Sequence, residues 1–167
     1  DKDASIVHNN LKDMKDVLTY SLQYQKGAWV LHMLRNYIGE DNFRNGIRNY
    51  YNKYYNSNTT TEEFKLEMEN ASGKDLDKFF DQWLYKGGII KLDISWSYNE
   101  RLKQIEIKID QVQDDGYLFE MPVELQLIYD NKSRIEKIFM DKKSKKYVIS
   151  SDYNPKEIKL DPHIKLL

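Results

Sequence analysis

Phe79-Phe80-Asp81-Gln82-Trp83-Leu84-Tyr85-Lys86-Gly87-Gly88-Ile89-Ile90-Lys91-Leu92-Asp93-Ile94-Ser95-Trp96 is the stretch in which this chain changes its repeat. Before Gly87-Gly88 the apolar residues recur every three or four positions, and after it they recur at every second one. The first period lines one side of a helix and the second one face of a strand. Two adjacent glycines, free to take backbone angles that other residues avoid, make a joint between the two. The pattern predicts an α+β chain, helical over residues 1–88 and all-β over residues 89–167.

Upstream of the joint, Val30, Leu31, Leu34, Tyr37 and Ile38 keep helical spacing, and Trp29 and Met33 widen the stripe until this helix is expected to be buried on most sides. Gly39 supplies its stop. Glu40 and Asp41 place negative charge at the start of a second helix, with Phe43, Ile47, Tyr50, Tyr51 and Tyr54 along one side and Asn56-Ser57-Asn58 at its end. Thr60 with Glu63 three residues on is a capping box for a third helix, which carries Phe64, Met68 and Ala71 before Gly73. A fourth begins near Asp75 with Leu76, Phe79, Phe80, Trp83 and Leu84 as core. The acidic residues Glu62, Glu63, Glu67 and Glu69 read as a solvated face. Short polar links between these segments imply an antiparallel helical array.

Downstream, Leu92, Ile94, Trp96 and Tyr98 alternate with polar residues, and Ile105, Ile107 and Ile109 repeat the pattern. Asp114-Asp115-Gly116 signals a turn before the longest alternation, Phe119 to Tyr129, which Asp130-Asn131 turns back. Residues 135–140, 147–149 and 158–160 complete six or seven short strands without an intervening helix, the spacing of an antiparallel sandwich. Lys142, Lys143, Lys145 and Lys146 lie between two strand-like runs and read as a solvated turn.

Composition removes several classes of function. Lys and Arg total 26 against 27 Asp and Glu, a net charge of −1, so no overall field favours nucleic acid or an anionic membrane. No run of about eighteen apolar residues is present to span a bilayer. With no cysteine there is neither disulfide nor thiolate metal site, in a composition equally compatible with cytoplasm and export. The three histidines, His8, His32 and His163, lie far apart, and none has the i, i+4 partner that two imidazoles on one zinc require, so no metal site is expected from this chain. A start without Met and without an apolar or basic leader is read as that of a piece of a longer protein or of a processed form.

One stretch carries chemistry: Tyr24-Gln25-Lys26-Gly27-Ala28, running straight into the first helix. A tyrosine at the mouth of a packed helix can hold its ring in the core while the hydroxyl faces a cleft, the geometry of an oxyanion donor. A phenol is protonated at neutral pH and donates without carrying charge. Lys26 reads as a structural lysine covering the helix start, and Gly27 as a site of close helix approach. His32 has Ala28 and Asn36 four residues to either side and reads as a packed, hydrogen-bonded histidine.

Tyr24-Gln25-Lys26-Gly27-Ala28 is followed by Leu31, Met33, Leu34, Gly39, Phe43 and Tyr50, then by Thr60-Thr61-Glu62-Glu63-Phe64, Glu69, Ser72-Gly73-Lys74-Asp75-Leu76 and Phe79-Phe80-Asp81-Gln82-Trp83-Leu84. In order and spacing these resemble the zinc aminopeptidases of the aminopeptidase N and leukotriene hydrolase family, the gluzincin metallopeptidases, over about residues 20 to 96. The resemblance implies the helical C-terminal part of a thermolysin-like catalytic domain, followed by an immunoglobulin-like sandwich. It implies a parent that removes N-terminal residues from peptide substrates with a Zn2+ cofactor. Tyr24 matches the tyrosine that lies beside that zinc and hydrogen-bonds the oxyanion. The family's His-Glu-x-x-His helix, its third zinc ligand and its N-terminus-binding glutamate have no counterpart in these 167 residues, so the missing N-terminal part of the same protein is the expected partner and the isolated chain is expected to be inactive. The competing reading is a non-catalytic protein-binding or scaffolding module, a degenerate family member.

Overall fold

In the computed structural model, which describes residues 5–7, 24–114 and 116–166, the chain divides between Gly87 and Gly88 into two compact units. The first holds the helices. Helix α1 (Gly27–Ile38) buries Val30, Met33, Leu34 and Ile38, but Leu31 is 42% exposed and Ala28 is exposed. Its apolar stripe is therefore wider than the face its described neighbours cover, and burial on most sides is not what forms. Gly39, at φ +92°, is the single residue between α1 and α2 (Glu40–Lys53) and takes a backbone conformation that side chains disfavour.

Helix α2 meets α3 (Thr61–Ser72) at Gly46. A Cβ built there would lie 2.6 Å from Met68 Sδ and 3.5 Å from Ala71 Cβ, so side chains of α3 fill the space beside Gly46 and a larger residue would have to displace the Met68 thioether. This contact turns Ile47 and Tyr51, expected on the packed side, outward to 38% and 61% exposure. Tyr50 stays inside, edge-on to Phe64 with ring centres 5.1 Å apart. The capping box of α3 forms as its residues dictate: Glu63 N donates to Thr60 Oγ1 (3.4 Å) and Thr60 N to Glu63 Oε2 (2.6 Å), while Gly73 closes the helix in the left-handed region at φ +67°.

The expectation of a solvated acidic face is corrected on α3. Glu67 is buried and accepts from Lys53 Nζ at 2.6 Å, and Glu69 accepts the Leu76 N–H at 2.9 Å. A carboxylate that leaves water at a helix contact needs a partner, and Lys53 of α2 supplies it. Leu76, Phe79, Phe80 and Trp83 form the core, carried by α4 (Asp77–Phe80) and a π-helical turn, Asp81–Tyr85, in which Lys86 N bonds Asp81 O at 3.1 Å.

The second unit contains two three-stranded antiparallel sheets, β1-β2-β5 and β4-β3-β6. The strands are β1 (Leu92–Asn99), β2 (Gln104–Gln111), β3 (Met121–Ile128), β4 (Ser133–Met140), β5 (Ser144–Ser150) and β6 (Glu157–Leu160). Ile105, Ile107 and Ile109 of β2 and Met121, Val123, Leu125 and Leu127 of β3 are the buried members of the two alternations. Pro122 is tolerated in β3 because pairing with β6 begins only at Leu125, which leaves position 122 one neighbouring strand. At one sheet junction Arg134 Nη2 donates to Ser150 O (2.8 Å) and Tyr147 OH to Phe139 O (2.7 Å); burial, and then the Asp141 charge, push the Tyr147 phenol up to about 12. Lys142 and Lys143 occupy the turn between β4 and β5, whereas Lys145 and Lys146 belong to β5.

Two buried polar groups shape this unit. Gln111 donates to Phe119 O (2.7 Å) and Lys142 O (3.3 Å) and accepts from Phe119 N (3.0 Å) and Gln113 Nε2 (2.9 Å), tying down the segment between β2 and β3. Glu124 of β3 receives Lys165 Nζ at 2.6 Å and faces His163 Nδ1 at 2.7 Å, which fastens the segment after β6. Asp115 of the sequence's turn signal lies outside the described residues, as does His8. Among the described residues no helix is long and apolar enough to cross a membrane.

Candidate active site

Tyr24 sits on a π-helical turn over residues 24–26 that runs without interruption into α1; Lys26, at φ −65° and ψ −39°, is already helical. Within this turn Tyr24 is 64% exposed and Gln25 is exposed, whereas Lys26 is 9% exposed. The Lys26 ammonium donates to Lys86 O at 3.4 Å, and burial pulls its pKa below the ordinary lysine range. The sequence reading of Lys26 as a lysine covering the helix start thus acquires a second element: it joins the head of α1 to the end of the turn that carries Trp83.

Tyr24 borders a cavity of about 580 Å³. Leu31 and Leu34 of α1, Tyr50 of α2, Phe64 of α3 and Leu84 of the π turn wall it, and Thr59, Thr60 and Thr61 add hydroxyls. An apolar concavity with a few polar groups is the usual form of a small-molecule or side-chain site. Two of the threonines are committed elsewhere, Thr59 Oγ1 to Glu63 Oε2 (2.9 Å) and Thr60 to the helix cap. Their hydrogen bonds, that from the Thr60 backbone first and that from the Thr59 hydroxyl next, hold the Glu63 carboxyl below its usual range.

Gly27 also borders the cavity, and among the described residues a Cβ added there meets no atom within 4 Å. Among the described residues no neighbour makes the close approach expected at Gly27, whereas Gly46 does meet such neighbours. His32 is half-buried, edge-on to Trp29 with ring centres 5.5 Å apart and within 3.2 Å of Asn36 Nδ2.

The residues described here do not fit a catalytic zinc. Among them, the grouping able to offer three ligand atoms is Glu69, Asp75 and Asp77. Its oxygens already accept the Leu76 N–H, the Asp77 N–H and the Lys65 ammonium, and it contributes no imidazole. His32 and His163 belong to different units.

Residues 1–83 match the Peptidase family M1 domain. The chain belongs to the M1 aminopeptidase family. This M1 chain is 30% identical over 105 residues to aminopeptidase N of Lactococcus lactis subsp. lactis, a match covering 62% of the chain and 12% of that relative. To aminopeptidase N of Escherichia coli (strain K12) it is 30% identical over 118 residues, covering 67% of the chain and 13% of that relative. Its fold resembles that of Legionella pneumophila aminopeptidase A, solved in complex with aspartic acid, with a TM-score of 0.78 at 20% identity over 91% of this chain and 18% of that one. The M1 chain thus matches only a small part of the length of these relatives.

Tyr24 lies at the head of α1 as its sequence position predicts, but its ring is not held in the core as expected, since the residue is 64% exposed, and its surroundings carry no local signal. Nothing local links Tyr24 to Tyr50 or to Thr59–Thr61; the capping signal of Thr60 marked a helix start and was silent about a cavity.

Proposed function

We propose that these residues are the C-terminal part of a zinc-dependent aminopeptidase that hydrolyses N-terminal residues from peptides, with Tyr24 as the oxyanion-stabilising donor. The supporting observation is the placement of Tyr24: exposed, at the edge of an apolar cavity, on the turn that opens α1 within the segment matched to the M1 domain. On this reading residues 1–88 are the helical end of the catalytic domain and residues 89–167 an immunoglobulin-like sandwich acting as a spacer. Zinc and the groups that hold it belong to a part of the parent outside these residues. When a peptide carbonyl is attacked, its oxygen gains negative charge, and a neutral phenol donor is stronger toward that oxyanion than toward the ground-state carbonyl.

The test is Tyr24→Phe in the complete parent. Losing one such donor lowers kcat by about 10²–10³, or about 2.7–4 kcal/mol of barrier, with zinc content unchanged. Turnover equal to wild type would favour the scaffolding reading. The isolated chain is expected to bind no stoichiometric zinc and to cleave no amino-acid anilide; zinc-dependent hydrolysis by the pure chain would contradict this assignment.

A further inference from the structure

We infer that Lys26 is a positioning residue for Tyr24: its ammonium, held at the Lys86 carbonyl, fixes the turn that carries the phenol. The inference rests on the aminopeptidase reading above. Of the three side chains on the turn Lys26 is the buried one, and its bond to Lys86 O ties the turn to a segment sixty residues on. The residue after it gives no purchase, since Gly27 has no side chain and a Cβ there would meet nothing within 4 Å among the described residues.

The anchor point is a suitable one. The last carbonyls of a helix have no partners within it and carry partial negative charge, which favours a cation. At the end of the π turn Asp81–Tyr85, Leu84 O takes the Ile6 and Val7 N–H groups (2.9 and 3.1 Å), and Lys86 O takes Lys26. Trp83 and Phe80, at 1% and 3% exposure, hold this end in the core, so Lys26 connects the turn that carries Tyr24 to a packed base. An oxyanion donor acts only when its hydroxyl is already in place, and a small misplacement removes much of its effect.

The test uses the complete parent, an amino-acid anilide substrate and four variants in addition to wild type. Lys26→Met should lower kcat about tenfold or more with KM within about twofold and zinc content unchanged, and Lys26→Arg should recover to within about threefold. In a Tyr24→Phe background, Lys26→Met should cost less than about twofold, because the group it positions is gone. An equal loss in both backgrounds, an effect on KM only, or a fall in zinc content overturns the inference. Should Lys26→Met not fold, Lys26→Gln is read by the same criteria. A 19F resonance from fluorotyrosine at position 24 gives an independent readout: it should shift in Lys26→Met or Lys26→Gln, and an unchanged signal overturns the inference. If Tyr24→Phe turns over like wild type, the aminopeptidase reading fails first; if Tyr24→Phe is impaired but Lys26→Met is not, only the Lys26 role fails.

Discussion

Gln111→Leu should destabilise the strand unit by about 3 kcal/mol, because a leucine of similar size withdraws four hydrogen bonds from a residue only 2% exposed. A typical intramolecular hydrogen bond contributes about 0.5–1.5 kcal/mol net, so four sum to roughly 2–6 kcal/mol; the 3.3 Å bond to Lys142 O lies at the weak end. The added apolar burial returns about 1 kcal/mol. For a unit of this size each kcal/mol moves Tm by at least about 4 °C, so the transition should fall by about 12 °C. Calorimetry of the 167-residue chain reads the shift, and urea unfolding at an unchanged m-value confirms that native stability, not compactness of the unfolded chain, is the cause. Hydrogen exchange locates it: the Phe119 amide, which donates to Gln111 Oε1, should lose protection before the central amides of β2. A fall of less than about 4 °C would refute the reasoning, since it would mean that the Gln111 bonds merely replace equally good bonds to water.

The pH dependence of the same unit should depend on Glu124. Burial pushes its carboxyl up, but hydrogen bonds from His163 and Lys165, with their charge, outweigh this and leave its pKa below the ordinary value. A depressed folded pKa gives stability that is fully present above the unfolded value of about 4.3 and is lost as pH falls through the folded one, so urea midpoints between pH 7 and pH 3 should decline more steeply for wild type than for Glu124→Gln. Parallel profiles would remove Glu124 from the account. On the helical unit, Thr60→Ala should cost about 1 kcal/mol by circular-dichroism melting, with Thr60→Ser near wild type, because the cap needs only a hydroxyl that accepts the Glu63 N–H.

Much of the fold was legible because its signals are local. The Thr60–Glu63 cap spans three residues, Gly73 ends its helix in the left-handed region, and the isoleucines of β2 alternate over five positions. The acidic face of α3 was misread for the opposite reason. Whether Glu67 meets water depends on Lys53, fourteen residues away on another helix, and neither residue carries a mark of the other. The exposed side of α2 was misassigned because its contact with α3 is centred on Gly46, a residue with no apolar signal at all.

The candidate site divides in the same way. The sequence by itself determined the two-part α+β order, the position of Tyr24 at the head of a helix and, through a series of spaced motifs, the M1 resemblance. Each of these rests on residue type and short spacing, which survive in a linear string. Only the tertiary structure decided that Lys26 reaches the Lys86 carbonyl sixty residues on, that Tyr24 shares a cavity with Tyr50 and Thr59–Thr61, and that Glu124 faces His163 across thirty-nine. Such pairs arise when helices and strands with separate periodicities are packed together, and the partner of a buried polar group is chosen by that packing and not by its neighbours in the chain.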